Sequence, residues 1–101
     1  MDPKITEAIH GMTISVNIHI TLRQYTDGRD TVQVEGRTIG ECLISLTDQY
    51  PAMSNVLFYQ NGELRNHFEI YLNTESAYPD ELKRAVSDGD EIHITAFLAG
   101  G

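Results

Sequence analysis

The readable part of the chain opens on strict alternation: Met12, Ile14, Val16, Ile18 and Ile20 interleave with Thr13, Ser15, Asn17, His19 and Thr21. A period of two places one set of side chains on one face of an extended backbone, so the pattern predicts a half-buried strand over residues 12–21. Thr31-Val32-Gln33-Val34 alternates again after Tyr25-Thr26-Asp27-Gly28-Arg29. An Asp-Gly pair tolerates the positive φ angles of a hairpin turn, so these first two strands are expected to pair antiparallel.

The period then changes. Thr38 stands where a helix N-cap belongs, with Glu41 three residues later, the capping-box spacing in which each side chain satisfies a free backbone donor of the other. Ile39, Cys42, Leu43, Leu46 and Tyr50 fall on one helical stripe, with Glu41, Ser45, Asp48 and Gln49 around the rest. Pro51 either ends this helix or starts a new turn, and Met53 to Tyr59 reads equally as a second helical turn or as a short strand leading to the Asn61-Gly62 turn. Phe68, Ile70 and Leu72 alternate in a third strand, and Ile92, Ile94 and Ala96 alternate with His93, Thr95 and Phe97 in the last. Between them, Pro79-Asp80-Glu81-Leu82 suggests a short helical turn and Ser87-Asp88-Gly89-Asp90 a tight one. The order predicts a two-layer α+β domain, with one main helix on one face of a mixed four- to five-stranded sheet, a right-handed crossover and the last strand near the centre.

Residues 1–11 have no matching alternation and are expected to be a loosely ordered N-terminal extension, a start-site choice or a cloning remnant, which leaves residues 12–101 as the domain. A chain of 101 residues, 41% hydrophobic and 22% charged, holds one core and little more. Seven Lys and Arg against fifteen Asp and Glu give a net charge of −8, which repels nucleic acid and anionic membrane surfaces and favours a basic protein partner. The single Cys42 can form neither an internal disulfide nor a CxxC site. No apolar run approaches the eighteen or so residues of a membrane span, and the first residues lack a signal-peptide pattern, so a cytoplasmic location is expected.

Little in the body looks catalytic. Cys42 sits on the apolar stripe of the helix with no His or Lys placed to lower its pKa, which favours an inert core thiol over a nucleophile. His10, His19, His67 and His93 show no ligand spacing, and no metal site is expected. His19 and His93 fall on the polar register of their strands, where a solvated position outweighs an imidazole pair. Asp88 and Asp90 flank Gly89 and are better suited to shaping a turn than to acid–base work, which needs two environments that push their pKa values apart. The remaining feature is Ala96-Phe97-Leu98-Ala99-Gly100-Gly101, two glycines directly after a strand expected to be central. Glycine has no Cβ, so such a tail can thread a narrow channel.

With these residues the chain resembles the β-grasp, ubiquitin-like sulfur carriers of the ThiS/MoaD family, from Met12 to Gly101. The resemblance rests on Asp88-Gly89-Asp90-Glu91, Tyr71-Leu72-Asn73 and Ala99-Gly100-Gly101. Thr21-Leu22-Arg23, Thr26-Asp27-Gly28, Thr38-Ile39-Gly40-Glu41, Tyr50 and Gly62-Glu63-Leu64-Arg65 look closest to carriers that serve a cysteine synthase. Where many members have a proline shortly before the tail, this chain has Phe97, a candidate partner contact. The resemblance implies a non-catalytic carrier with a flexible tail at residues 97–101. A ubiquitin-activating-class enzyme would use ATP to adenylate the Gly101 carboxylate, with no cofactor bound stably by the carrier itself. Sulfur would then convert it to a thiocarboxylate, and Leu98, Ala99 and Gly100 would lead the tail into a partner such as a cysteine synthase. Molybdopterin, thiamine or a sulfur-containing natural product are rival pathways. Attachment through Gly101 to a lysine, as a protein modifier, and a plain binding module are the alternatives.

Overall fold

The computed structural model describes residues 13–96; the expectations for the N-terminal extension, Met12, His10 and the tail from Phe97 to Gly101 lie outside the described residues. Five strands are present: β1 (Thr13–Ile18), β2 (Thr31–Glu35), β3 (Phe68–Leu72), β4 (Glu75–Ser76) and β5 (Glu91–Ala96). They form one mixed sheet in the order β2-β1-β5-β3-β4. β1 pairs antiparallel with β2 and parallel with β5, which in turn pairs antiparallel with β3. The last strand is therefore central, as the pattern predicts.

β1 is shorter than its alternation. Extended structure stops at Ile18, and Ile20–Tyr25 forms a 3-10 helix whose N-cap is His19, with Nδ1 accepting from the Thr21 amide at 3.3 Å. This local bond turns the chain out of the sheet and leaves Ile20, expected inside, 69% exposed. The Asp27-Gly28 pair does adopt positive φ, 55° and 82°. It closes the 3-10 segment onto β2 rather than forming a two-residue hairpin loop.

Helix α1 (Ile39–Gln49) lies across the inner face of the sheet. The Thr38 hydroxyl accepts from the Glu41 amide at 3.1 Å as predicted, while the Glu41 carboxylate reaches one residue further back, to the Arg37 amide at 2.8 Å. The first bond satisfies one free donor of the helix's first turn, and the second ties down the residue before the cap. The predicted stripe faces the sheet: Ile39, Cys42, Leu43 and Leu46 are buried and Tyr50 is packed against the core. The ambiguous stretch after Pro51 is helical, α2 (Ala52–Leu57), and ends where Phe58 bridges to Leu64. Ile14, Val16, Ile92, Ile94 and Ile70 meet these helices from the sheet side, closing one core. No buried side-chain nitrogen or oxygen among the described residues lacks a hydrogen-bond partner, and the buried Thr26 hydroxyl binds the carbonyls of Arg23 and Arg29.

One contact sets how closely the 3-10 turn Glu81–Lys83 packs on α1. A Cβ on Gly40 would lie 2.8 Å from the Leu82 carbonyl oxygen and 3.3 Å from its Cβ. In an open helix, Gly to Ala stabilises by roughly 1 kcal/mol. Here Gly40→Ala is expected to reverse that sign and destabilise by about 1–3 kcal/mol, measured as a lower urea midpoint with unchanged slope.

Candidate functional site

Every route to a functional reading passes through β5, because it hands the chain to the C-terminal residues. Its register is fixed on both sides: Val16 opposite Ile92 and Ile18 opposite Ile94 on β1, Ile70 opposite Ile94 and Phe68 opposite Ala96 on β3. Ile92 and Ile94 point into the core, and a shift by one residue would turn both into water. The Thr95 hydroxyl also donates to the Glu69 carbonyl at 3.1 Å. Ala96 is thus a fixed departure point for residues 97–101.

The other register of the same strands builds a polar open face. Asn17 donates to Glu91 Oε1 at 3.3 Å, and His93 Nε2 stands 3.5 Å from the same oxygen. Thr31 donates to Asn17 Oδ1 at 3.2 Å, and Gln33 to the Ser15 hydroxyl at 2.9 Å. The Tyr71 phenol donates to the Glu69 carboxylate, and that bond, then the carboxylate's charge, pushes its pKa up. A face of paired, exposed polar groups suits contacts that form and dissolve, since each such pair contributes little by itself.

His19 and His93 line one shallow cleft of about 280 Å³ at the end of β1 and β5, together with Arg23, whose Nε donates to the Ile18 carbonyl at 3.1 Å. No spacing along the chain joins Arg23 to both histidines; the parallel pairing of β1 with β5 does so. Asp88 and Asp90 build the turn as expected. Asp88 accepts from the Thr13 amide at 3.0 Å, and Asp90 from the Ser87 amide at 2.8 Å and Asn73 Nδ2 at 3.2 Å.

Cys42 is fully buried, and desolvation first, then the nearby Glu41 charge, raises its pKa to about 11. No cluster of three or more His, Cys, Asp or Glu that could hold a metal exists among the described residues, and no described helix is long and apolar enough to cross a membrane. What the arrangement offers is a strand end fixed at Ala96 beside an exposed polar sheet face.

A sheet in this order under one long helix is the ubiquitin-like β-grasp fold, shared with the solved structures it matches. The family model described as the ThiS family matches residues 16–101, and the chain belongs to that family, the β-grasp sulfur carriers, which are carriers rather than catalysts. The sulfur carrier protein CysO of Mycobacterium tuberculosis is 32% identical over 93 residues, spanning 89% of this chain and all of that protein. Small archaeal modifier protein 1 of Haloferax volcanii is 34% identical over 71 residues, 69% of this chain and 78% of that protein. Among solved structures, the BexX/CysO complex of Amycolatopsis orientalis matches with a TM-score of 0.79 at 27% identity, covering 87% of this chain and 99% of that one.

The inert thiol has a measurable consequence. Cys42 should resist a thiol-exchange reagent at pH 8 in the folded protein and react at once in denaturant. Its folded pKa lies above the ordinary 9.0, so the folded state holds the proton more tightly and the stability it contributes is complete below about pH 9. Stability should therefore fall as pH climbs from about 9 through 11, more steeply than in Cys42→Ala, as followed by urea melts across that range.

Proposed function

We propose that this protein carries sulfur as a thiocarboxylate on Gly101, with residues 12–101 as the carrier domain and residues 97–101 as its flexible tail. The observation that carries the proposal is the family match, which runs through the body to Gly101 and so includes the Gly-Gly end. A carboxylate is a poor acyl donor because oxide is its leaving group. An adenylating enzyme of the ubiquitin-activating class removes that obstacle: a Gly101 carboxylate oxygen attacks the α-phosphorus of ATP, and pyrophosphate leaves. Hydrosulfide attacks the acyl carbon and AMP departs; where the donor is a persulfide, its terminal sulfur attacks instead, and a second thiol then cleaves the S–S bond of the acyl disulfide, releasing the thiocarboxylate and leaving the donor as a disulfide. The thiocarboxylate, nucleophilic at neutral pH, is presented to an acceptor enzyme with Leu98, Ala99 and Gly100 inside that enzyme's site and Phe97 at its mouth.

The CysO relative favours an acceptor of the cysteine-synthase kind, and the BexX/CysO complex supports docking of such a carrier on a partner protein. The −8 charge favours a basic docking surface and a salt-sensitive encounter. A second reading is supported by the modifier relative: after the same activation, a target lysine rather than sulfide attacks the acyl carbon.

Intact-mass measurement after incubation with an adenylating enzyme, ATP and sulfide separates these readings. Exchange of one oxygen for sulfur is the expected product, and conjugates to other proteins would favour the modifier. Removing Gly101 should abolish sulfur uptake while leaving the urea midpoint unchanged. A truncated chain that still takes up sulfur contradicts the mechanism.

A further inference from the structure

Helices α1 and α2 cover the inner face of the sheet, and on the side away from the polar open face they leave a groove of about 630 Å³. Gly40, Ile44 and Thr47 line it from α1 at helical spacings, Phe58 and Tyr59 from the chain after α2, and Leu82 closes the Gly40 end. Ile44 is 58% and Tyr59 37% exposed, although α1 has already buried a full apolar stripe against the sheet. Composition sets this surface apart. Residues 39–60, both helices and the turn that follows, carry Glu41 and Asp48 and no Lys or Arg, in a chain that is 22% charged. Scarce charge around exposed aliphatic and aromatic side chains is the make-up of an interface core. Two other clefts differ, one lined by Arg23, Asp30 and two histidines, the other by Arg65, Glu69 and Glu81.

We infer that this groove takes a basic amphipathic helix of a partner protein, its apolar row seated on Ile44, Phe58, Tyr59 and Leu82 and its Lys or Arg side chains set against Glu41 and Asp48. Helix-in-groove recognition uses this division between apolar anchors and a charged flank. Glu41 lies three residues before Ile44 and Asp48 four after it, so both carboxylates stand on the same flank of Ile44. They are about 10 Å apart along the axis, two helical turns. Two basic residues at that spacing on the incoming helix match them, and the apolar residues between those two meet Ile44. Glu41 keeps acceptor capacity beyond its bond to the Arg37 amide, because a carboxylate accepts at both oxygens.

The neighbouring charges do not reverse this sign. The turn at Leu82 adds Glu81 and Lys83, which offset each other, and Arg65 is already engaged, with its guanidinium 4.9 Å over the Tyr59 ring and Nε on the Asn55 carbonyl. A second copy of this chain fits less well than a basic partner. Two-fold pairing sets a patch against itself, which brings Glu41 and Asp48 of one copy to those of the other with no cation on either helix to offset them. A helix seated here leaves the open sheet face clear, and its docking does not depend on the sulfur chemistry.

The test uses the full chain, isotope-labelled at isoleucine and leucine methyl groups and at backbone amides. The probes are two synthetic helical peptides that share one leucine row; one carries lysines two turns apart on its flank, the other glutamates there. The lysine peptide is expected to shift the Ile44 and Leu82 methyl signals saturably, and the glutamate peptide to leave them in place. Ile44→Asp should weaken lysine-peptide binding at least about tenfold. Asp48→Lys should weaken it about threefold and admit the glutamate peptide. Both positions are exposed, so the fold is expected to persist in each variant, checked by the urea midpoint. No binding by either peptide, equal binding of both, indifference to Asp48→Lys, or shifts confined to open-face amides such as those of Glu69 and Glu91 overturns the inference. Ile44 shifts that appear on concentrating the protein alone mean that a second copy takes the groove and overturn it equally.

Discussion

The parallel pairing of β1 with β5 is the constraint on which the rest of the molecule depends. Four register pairs, from Ser15 opposite Glu91 to Ile18 opposite Ile94, join strands far apart in the chain, so forming the centre of the sheet closes a long loop whose entropy cost the contacts of the core must offset. Once formed, the pairing puts Val16, Ile18, Ile92 and Ile94 side by side under α1, each nearly or wholly buried. It also decides where the chain leaves. Parallel strands share an orientation, so Thr13 and Ala96 stand at opposite ends of the sheet, about 23 Å apart along the strands at some 3.3 Å per residue, because Ala96 lies two residues beyond the Ile94 that pairs with Ile18. The chain enters β1 at one end of the sheet and leaves β5 toward residues 97–101 at the other.

The two edges of the sheet are managed by different means. On β2, the Gln33 carbonyl accepts from Gln49 Nε2 at 2.8 Å and the Glu35 amide donates to the Ser45 hydroxyl at 3.4 Å, so α1 side chains occupy the edge. On β3, the two residues of β4 and the Ala77 amide, bonded to the Ile70 carbonyl at 2.9 Å, cover the opposite side. Such coverage blunts strand addition by other chains. It leaves the polar open face as the broad surface for a partner.

Much of this fold was legible in the residues, and the parts that were not have identifiable causes. The buried stripe of α1, the Thr38 cap, the central place of β5 and the Ser87 to Asp90 turn follow from local periodicity and capping chemistry, which the fold leaves in place. The end of β1 was misread because alternation continues through Ile20 while the backbone does not. A histidine side chain bonding two residues ahead competes with the ladder, and no count of apolar positions records that. The stretch from Met53 to Tyr59 was ambiguous because a short apolar run carries no period of its own. The open-face network was hidden for another reason. Asn17, Glu91 and His93 meet only through a pairing between strands more than seventy residues apart. The Gly-Gly end was visible at once in the residues and lies outside the described ones.

The central claim is that the folded body mounts the reaction and Gly101 alone receives the sulfur. Fragmentation mass spectrometry of the sulfur-loaded protein tests this by locating the added atom. The account predicts it on the fragment that contains Gly101, with Cys42 recovered as a free thiol. Sulfur found on Cys42 as a persulfide, with an unmodified Gly101, would contradict it.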